Sequence, residues 1–294
     1  MDALLAIISA HAGATESEAE TAALAVLRAG ADVEIAKTAS LDDLRAALEQ
    51  HPHRHPVVLG GDGSVHSLVA VLHETGGLDS RVVGLVPMGT GNDLARTLGI
   101  PLDPQAAAHS VLEGTERRLD LLVDDRGGVV VNAVHLGVGA EAAREATELK
   151  STLGRLSYAV GALLAGLRAR GWRLQVTVDG NVLAEGRDRV LMVGLTNGGT
   201  IGGGTPLGPA AEPDDGMVDV VVAMSTGPMA RLAFGAWLAL GRHDRRDDVV
   251  SARGRHVVVA GEPAPVNADG ELLDPASRRA WTVLPSAVRI MVPR

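Results

Sequence analysis

Two apolar runs that each break into glycines constrain this chain more than any other feature. Val57-Val58-Leu59 leads into Gly60-Gly61-Asp62-Gly63-Ser64, and Val86-Pro87-Met88 leads into Gly89-Thr90-Gly91-Asn92-Asp93. A helical pattern over 65–73 follows the first run. A strand, turn and helix in that order put backbone N–H groups and a helix N-terminus where an anion can meet them. Glycine permits positive φ there and lets a phosphate come close to the backbone. This is not a Walker A loop, which needs a lysine directly after glycine. The chain has only two lysines, Lys37 after Ala36 and Lys150 after Leu149. Charge neutralisation therefore falls to amides, a metal ion or arginine. A carboxylate such as Asp62 beside phosphates suits Mg²⁺, a water of its shell, or a proton.

Around these turns, strand and helix patterns alternate from residue 4 to about 123, with strands expected over 4–9, 31–36, 56–59 and 81–86 and helices over 16–28 and 41–49. That alternation predicts an α/β, doubly wound, Rossmann-like N-terminal domain with ligands at strand C-terminal ends, where both glycine turns fall. After residue 119 the runs 119–123, 129–136, 174–178, 190–196, 218–223 and 256–259 read as strands joined by glycine-rich turns. They predict a second, mainly antiparallel domain, a β-sandwich. The expected division is 1–123, 124–275, and a segment 276–294 returning to the first domain. Two helical stripes interrupt the strands, one from Leu153 to Leu167 and one over 229–240. Each reads first as a core-facing stripe, and otherwise as the border of a lipid cleft or a membrane-resting face.

A chain of 294 residues has room for two domains of roughly 100 to 200 residues each. Apolar residues are 46% of it but aromatics only 2%, so the core is to be built from Val, Leu, Ala and Ile. With no cysteine, disulfides and thiolate metal sites are excluded, and a cytoplasmic location is expected. No run reaches the ~18 apolar residues of a membrane span, so a lipid substrate would be met by transient peripheral association. A formal charge of −9 speaks against nonspecific binding to nucleic acid or to an anionic bilayer. Arg242-His243-Asp244-Arg245-Arg246, Arg253-Gly254-Arg255 and Arg278-Arg279 are local basic clusters mixed with acids. His51, His53 and His55 alternate in a proline-containing link, which does not fix the common geometry a metal needs.

Gly60-Gly61-Asp62-Gly63-Ser64 followed by Pro87-Met88-Gly89-Thr90-Gly91-Asn92-Asp93-Leu94-Ala95-Arg96 resembles the paired signatures of the diacylglycerol kinase catalytic family, which is related to NAD kinases and sphingosine kinases. Asn132 with Gly137 and Gly139, Asn197-Gly198-Gly199, Asp215-Gly216-Met217 and Asp269-Gly270-Glu271 resemble its later blocks, so the resemblance spans nearly the whole chain. It implies an ATP- and Mg²⁺-dependent kinase that phosphorylates a lipid hydroxyl, with diacylglycerol as acceptor. It further implies a nucleotide between the domains and pairing into a homodimer. At the first turn the family carries Asn-Pro-x-Ser-Gly where this chain reads Ser9-Ala10-His11-Ala12-Gly13, so the nucleotide contact there rests on Ser9, Gly13 and backbone groups.

The expected nucleotide contacts are Ser9, Gly13, Thr38, Gly60, Gly61, Asp62, Gly63, Ser64, Gly89, Thr90, Asn92 and Asp93. Asp269 and Glu271 are the joint candidates for the base, and Asp62 is the candidate for organising Mg²⁺ and the phosphates. By resemblance, Asp215 with the carbonyls of Glu212 and Met217 is a second metal site. Each has a plainer reading. Asp269-Gly270 has the composition of a hairpin turn, Asn92-Asp93 that of a helix N-cap, and Asp215-Gly216 that of another turn. Three other functions compete. Gly137-Val138-Gly139-Ala140-Glu141-Ala142 matches a dinucleotide GxGxxA but lacks the acidic residue about 20 positions on. An NAD kinase or other small-molecule kinase would use the same glycine turn, and a noncatalytic nucleotide or lipid binder would fit the altered first turn.

Overall fold

A computed structural model describes residues 3–9, 18–141 and 170–294. It divides the chain into two units, the first of residues 1–121 and 285–294 and the second of 122–284. Gly13 and the stripe expected from Leu153 to Leu167 lie outside the described residues.

The first unit holds a parallel sheet of β1 (Ala3–Ser9), β2 (Asp32–Thr38), β3 (His55–Gly60) and β4 (Gly84–Pro87) in the order β2-β1-β3-β4. Leu4 to Ile8 are all buried, as a central strand covered on both faces requires. Between them run α1 (Glu18–Gly30), α2 (Leu41–Gln50) and α3 (Asp62–Glu74), with α4 (Asp93–Thr97) and α5 (Pro104–Glu113) after β4. Right-handed crossovers send α1 to one face and α2 and α3 to the other, because the chain reverses direction across the sheet at β2. Accordingly α1 packs on α5 and α2 on α3. The reversal makes the gap between β1 and β3, at their C-terminal ends, the crevice of the sheet.

Local signals set the helix ends. Ser40 caps α2 by accepting the Asp43 N–H, while Asp43 accepts from Ser40 and Ala39, a capping box. The Ala39 N–H is the larger cause holding the Asp43 carboxyl below its usual range. Helix α5 was not among the elements expected from sequence, although Asp103 accepts the Ala106 N–H and Pro104 opens the first turn. The returning segment starts at Pro285 rather than at 276. It is tied down where Val83 donates to the Arg289 carbonyl (2.8 Å) and accepts from Met291 (2.9 Å), and where Arg289 pairs with Glu116 at 2.7 Å.

The second unit is antiparallel. Strands β12 (Val249–Gly254), β11 (Val218–Ala223), β10 (Met192–Thr196), β7 (Ala133–Gly137) and β13 (His256–Ala268) lie side by side. The long β13 pairs with β7 at 266–268 and with β8 (Trp172–Val178) at 257–261, and β8 continues into β9 (Asn181–Val190). A register break after Ala260, with Gly261 at φ 140°, lets one strand serve both groups. Leu174, Val176 and Val178 of β8 and Val193, Val220 and Val222 of β10 and β11 thereby share one core. Trp281, on β14 (Glu271–Val292), is its largest fully buried side chain, so the core is not wholly aliphatic. The run expected as one strand over 129–136 is two, β6 (Val129–Val130) and β7, separated at Val131-Asn132. β5 (Thr115–Asp124) and β14 carry the chain between the units. No described helix is long and apolar enough to cross a membrane.

His135 of β7 is buried, with no hydrogen-bond partner for Nδ1 among the described residues, and burial alone pulls its pKa from 6.5 to about 4. Once unfolded, the imidazole takes up a proton below about pH 6.5 that the folded chain refuses until about 4. His135 therefore stabilises the fold fully above that window, and the contribution is lost as pH falls through it. Urea unfolding should show about 2 kcal/mol less stability at about pH 5 than at about pH 7 from this residue, and His135→Gln should remove that share of the slope.

Candidate functional site

The two glycine turns sit side by side because β3 and β4 pair in register, with Gly60 opposite Pro87. The Met88 N–H donates to the Gly60 carbonyl at 2.9 Å. Beyond that bond the backbones come so close that a Cβ on Gly89 would lie 2.6 Å from the Gly61 Cα, and one on Gly61 would lie 3.0 Å from the Gly89 Cα. Neither position has space for a side chain. A Cβ on Gly60 would strike the Ser64 hydroxyl at 2.7 Å, whereas one on Gly63 meets nothing within 4 Å. The open side of this pair thus lies over the first turn of α3, whose N-cap Gly61 provides no side-chain acceptor.

Two side chains organise the second turn. Asn92 takes φ 53° and forms a two-way staple with Gly89, accepting from its N–H (3.0 Å) and donating to its carbonyl (2.8 Å). The left-handed backbone aims its side chain back into the loop, so Asn92 occupies the N-cap position of α4 without bonding the helix. The acceptor comes instead from Asp62, whose Oδ1 takes the Leu94 N–H at 3.1 Å. One carboxylate in the first turn of α3 therefore also caps α4. The Gly89 amide, expected to meet a phosphate, is bonded within its own loop. Thr90 is exposed at the tip, while Asp93 is buried.

At the C-terminal ends of β1 and β2, against α2 and α3, lies a cleft of about 280 Å³ lined by Ile7, Ser9, Thr38, Ala39, Ser40, Leu41, Leu44, Ser64 and Ser67. Ser9 and Thr38 are register partners at the ends of β1 and β2, and Ser64 joins them from α3. Sequence reading missed Ser67 and Ser40. Ser67 was legible as the residue one turn beyond Ser64 on the same helix.

The second unit contains the other candidates. Asp269 and Gly270, at φ 49° and 93°, form the two-residue hairpin between β13 and β14. The Asp269 carboxylate accepts three backbone N–H groups, from Val131 (2.6 Å), Asn132 (2.9 Å) and Ala133 (3.0 Å). That grip makes the break between β6 and β7. Glu271 is exposed. Asn132 donates to the Thr200 carbonyl and Asn197 to the Val131 carbonyl, so both asparagines brace the same turn.

Asp215 accepts the Met217 N–H and pairs with the Arg253 guanidinium, whose Nε lies 3.4 Å from Asp219. Burial, and then the charge of Glu212, raise the Asp219 pKa. The arginine supplies the positive charge in this cluster, which makes it a poor match to the cation site expected at Glu212, Asp215 and Met217. Among the described residues no group of three His, Cys, Asp or Glu could hold a metal. His55 opens the interior strand β3, its Nδ1 accepting the Val82 N–H just ahead of β4.

Two family models divide the chain much as its fold does. The diacylglycerol kinase catalytic domain matches residues 3–123, and the YegS C-terminal NAD kinase beta sandwich-like domain matches 132–292. A probable lipid kinase YegS-like from Pseudomonas aeruginosa is 32% identical over 302 residues, covering all of this chain and 96% of that protein. The chain belongs to the YegS-like lipid kinase family. The chain is also similar to diacylglycerol kinases from Bacillus subtilis, 30% identical over 80% of this chain and 78% of that protein, and from Mycobacterium tuberculosis, 29% identical over 81% and 76%. A diacylglycerol kinase crystal structure from Bacillus anthracis shares the fold, with a TM-score of 0.77 over 99% of this chain and 97% of that one at 24% identity.

Gly89→Ala and Gly63→Ala separate packing from ligand access. The first forces the two turns apart and should cost about 1–3 kcal/mol in denaturant unfolding. The second should unfold like the parent yet bind nucleotide more weakly, because its methyl fills only the open space above α3. In the second unit, Asp269→Ala strands three amides and should lower stability by roughly 3 kcal/mol or more, whereas Glu271→Ala should leave the unfolding midpoint in place.

Proposed function

We propose that this protein is an ATP- and Mg²⁺-dependent lipid kinase that transfers the γ-phosphoryl group to a lipid hydroxyl, with diacylglycerol as the acceptor. The observation that carries the reading is the pair of abutting glycine turns with one carboxylate, Asp62, set across two helix N-termini. Glycine at these contacts keeps side chains off the end of the sheet, which is how a protein brings its backbone close to a polyphosphate. A carboxylate already in that position repels bare phosphate. Bound phosphates must arrive with a cation.

The residues present fit such a group. The space over Gly63 is open, the first turn of α3 lacks a side-chain cap, and Asp62 with the buried Asp93 offers the one or two carboxylates that Mg²⁺ takes when phosphates and waters complete its shell. When bound, the ion would offset the charge of the phosphates during transfer. Ser9, Thr38, Ser64 and Ser67, on the cleft at the ends of β1 and β2, would take the rest of the nucleotide with hydroxyl contacts.

Proton acceptance from the lipid hydroxyl is assigned to Glu271. Asp269 has three amides on its carboxylate and is suited to holding the hairpin that presents its neighbour. Phosphoryl transfer asks the protein chiefly for position and charge, so the base needs an accessible carboxylate rather than a buried one. The relatives named as diacylglycerol kinases support diacylglycerol as the acceptor. A lipid acceptor in turn requires the protein to work at a membrane surface.

The test is transfer of label from γ-labelled ATP with Mg²⁺ to detergent-dispersed lipids offered one at a time, with NAD as a control acceptor. Label in phosphatidic acid is expected; label only in NADP would move the protein to the NAD kinases, and no label would point to binding without catalysis. Glu271→Gln and Asp62→Asn should each fold normally and lose roughly 100-fold or more in turnover. The Asp62→Asn amide oxygen can still cap α4, so that loss would report the missing charge.

A further inference from the structure

We propose that Arg253 takes the place of a metal ion in the second unit, its guanidinium holding Asp215 and Asp219 where a divalent cation would otherwise be needed. The turn at 212–217 is then held by the chain itself, and any Mg²⁺ the protein uses serves the nucleotide alone.

Two carboxylates need a counter-charge here. The side chains of Asp215 and Asp219 are only 21% and 22% exposed. A carboxylate that has lost most of its water is costly unless a cation and hydrogen bonds replace it. Asp215 comes from the turn that leads into β11, where Gly216 takes φ 76°, and Asp219 stands at the start of that strand. Glu212 and Asp214 of the same turn are exposed, so water solvates their charge.

Strand pairing brings the arginine to the two covered acids. β12 lies antiparallel to β11 with Arg253 directly opposite Asp219. Opposite charges facing each other across a strand pair attract, and a long side chain also reaches the diagonal neighbours. Arg253 accordingly holds its Nε 3.4 Å from Asp219 Oδ1 and donates through Nη2 to Asp215 Oδ2. Its backbone is fixed from the following residues. A Cβ on Gly254 would run into Val178 and Asp179, and the Asp179 carboxylate accepts the N–H groups of Arg255 (3.0 Å) and His256 (2.8 Å). β12 is also an outer strand, where a charge discourages pairing with another chain. That role needs no acidic partners, whereas this arginine has two.

The same contacts stand against a cation. Asp215 Oδ1 accepts the Met217 N–H at 2.9 Å and Oδ2 accepts from Arg253, so both oxygens already have donors. A dication on that carboxylate would face a guanidinium across it, a like-charge contact. Mg²⁺ and Ca²⁺ take oxygen ligands, and a guanidinium offers none. Arginine stays charged at any pH at which a protein folds, and unlike an ion it cannot be lost to a chelator.

The experiment is thermal unfolding of the full chain, without nucleotide or lipid, in chelator and in millimolar Mg²⁺ or Ca²⁺. Trp172, Trp237 and Trp281 are the only tryptophans and all lie in the second unit, so their fluorescence follows that unit. The parent midpoint should be the same in both conditions. Arg253→Ala should fall by about 2–4 °C in chelator. It should recover most of that loss in cation, which then binds the folded state through the vacated carboxylates. Adding Asp215→Asn to Arg253→Ala should abolish the recovery. Arg253→Gln, which keeps most of the stem, carries the same test if the shorter side chain does not fold. A parent stabilised by cation to an extent that Asp215→Asn removes would overturn the proposal. So would an Arg253→Ala midpoint equal to the parent's in chelator, or a loss that neither cation restores. Each readout is taken without catalysis and stands whether or not the chain proves to be a kinase.

Discussion

One carboxylate holds the glycine-turn end of the first unit together. Asp62 begins α3 and caps α4, so the two glycine turns cannot separate without leaving a helix N-terminus without its acceptor. The Gly61 and Gly89 backbones close the same gap from below, and Asn92 stiffens the second turn from within. The N-terminal ends of two helices and the C-terminal ends of two strands are thereby brought to one place. Preorganisation of this kind is what phosphoryl transfer demands, since positioning and charge do most of the chemistry.

Much of this was legible from residue order. Alternating apolar runs and helical stripes announced the parallel sheet, and its order β2-β1-β3-β4 then put both glycine turns and the Ser9–Thr38 pair at strand ends. What could not be read was set by partners distant in sequence. Asn92 has the composition of a cap, yet Asp62, from the preceding turn, does the capping. The run 129–136 looks like one strand, but Asp269 draws Val131, Asn132 and Ala133 out of line. β9 was invisible for another reason: most of its side chains face water, so it lacks the apolar signature by which strands were found.

The same logic divides Asp269 from Glu271. Two acids flank one glycine in sequence and look interchangeable. In the fold the first is a bracket for the backbone and the second stands exposed on the strand that follows. Composition cannot make that distinction, because it depends on which carboxylate meets amides.

Residues 285–294 belong to the first unit, although every residue of the second precedes them in the chain. Val83 therefore waits for Arg289 and Met291 until the whole intervening unit has left the ribosome. The first unit can collapse early in synthesis but can lock its edge only at the end. A chain halted anywhere in the second unit would carry an unsealed sheet margin, an exposed edge open to pairing with other chains.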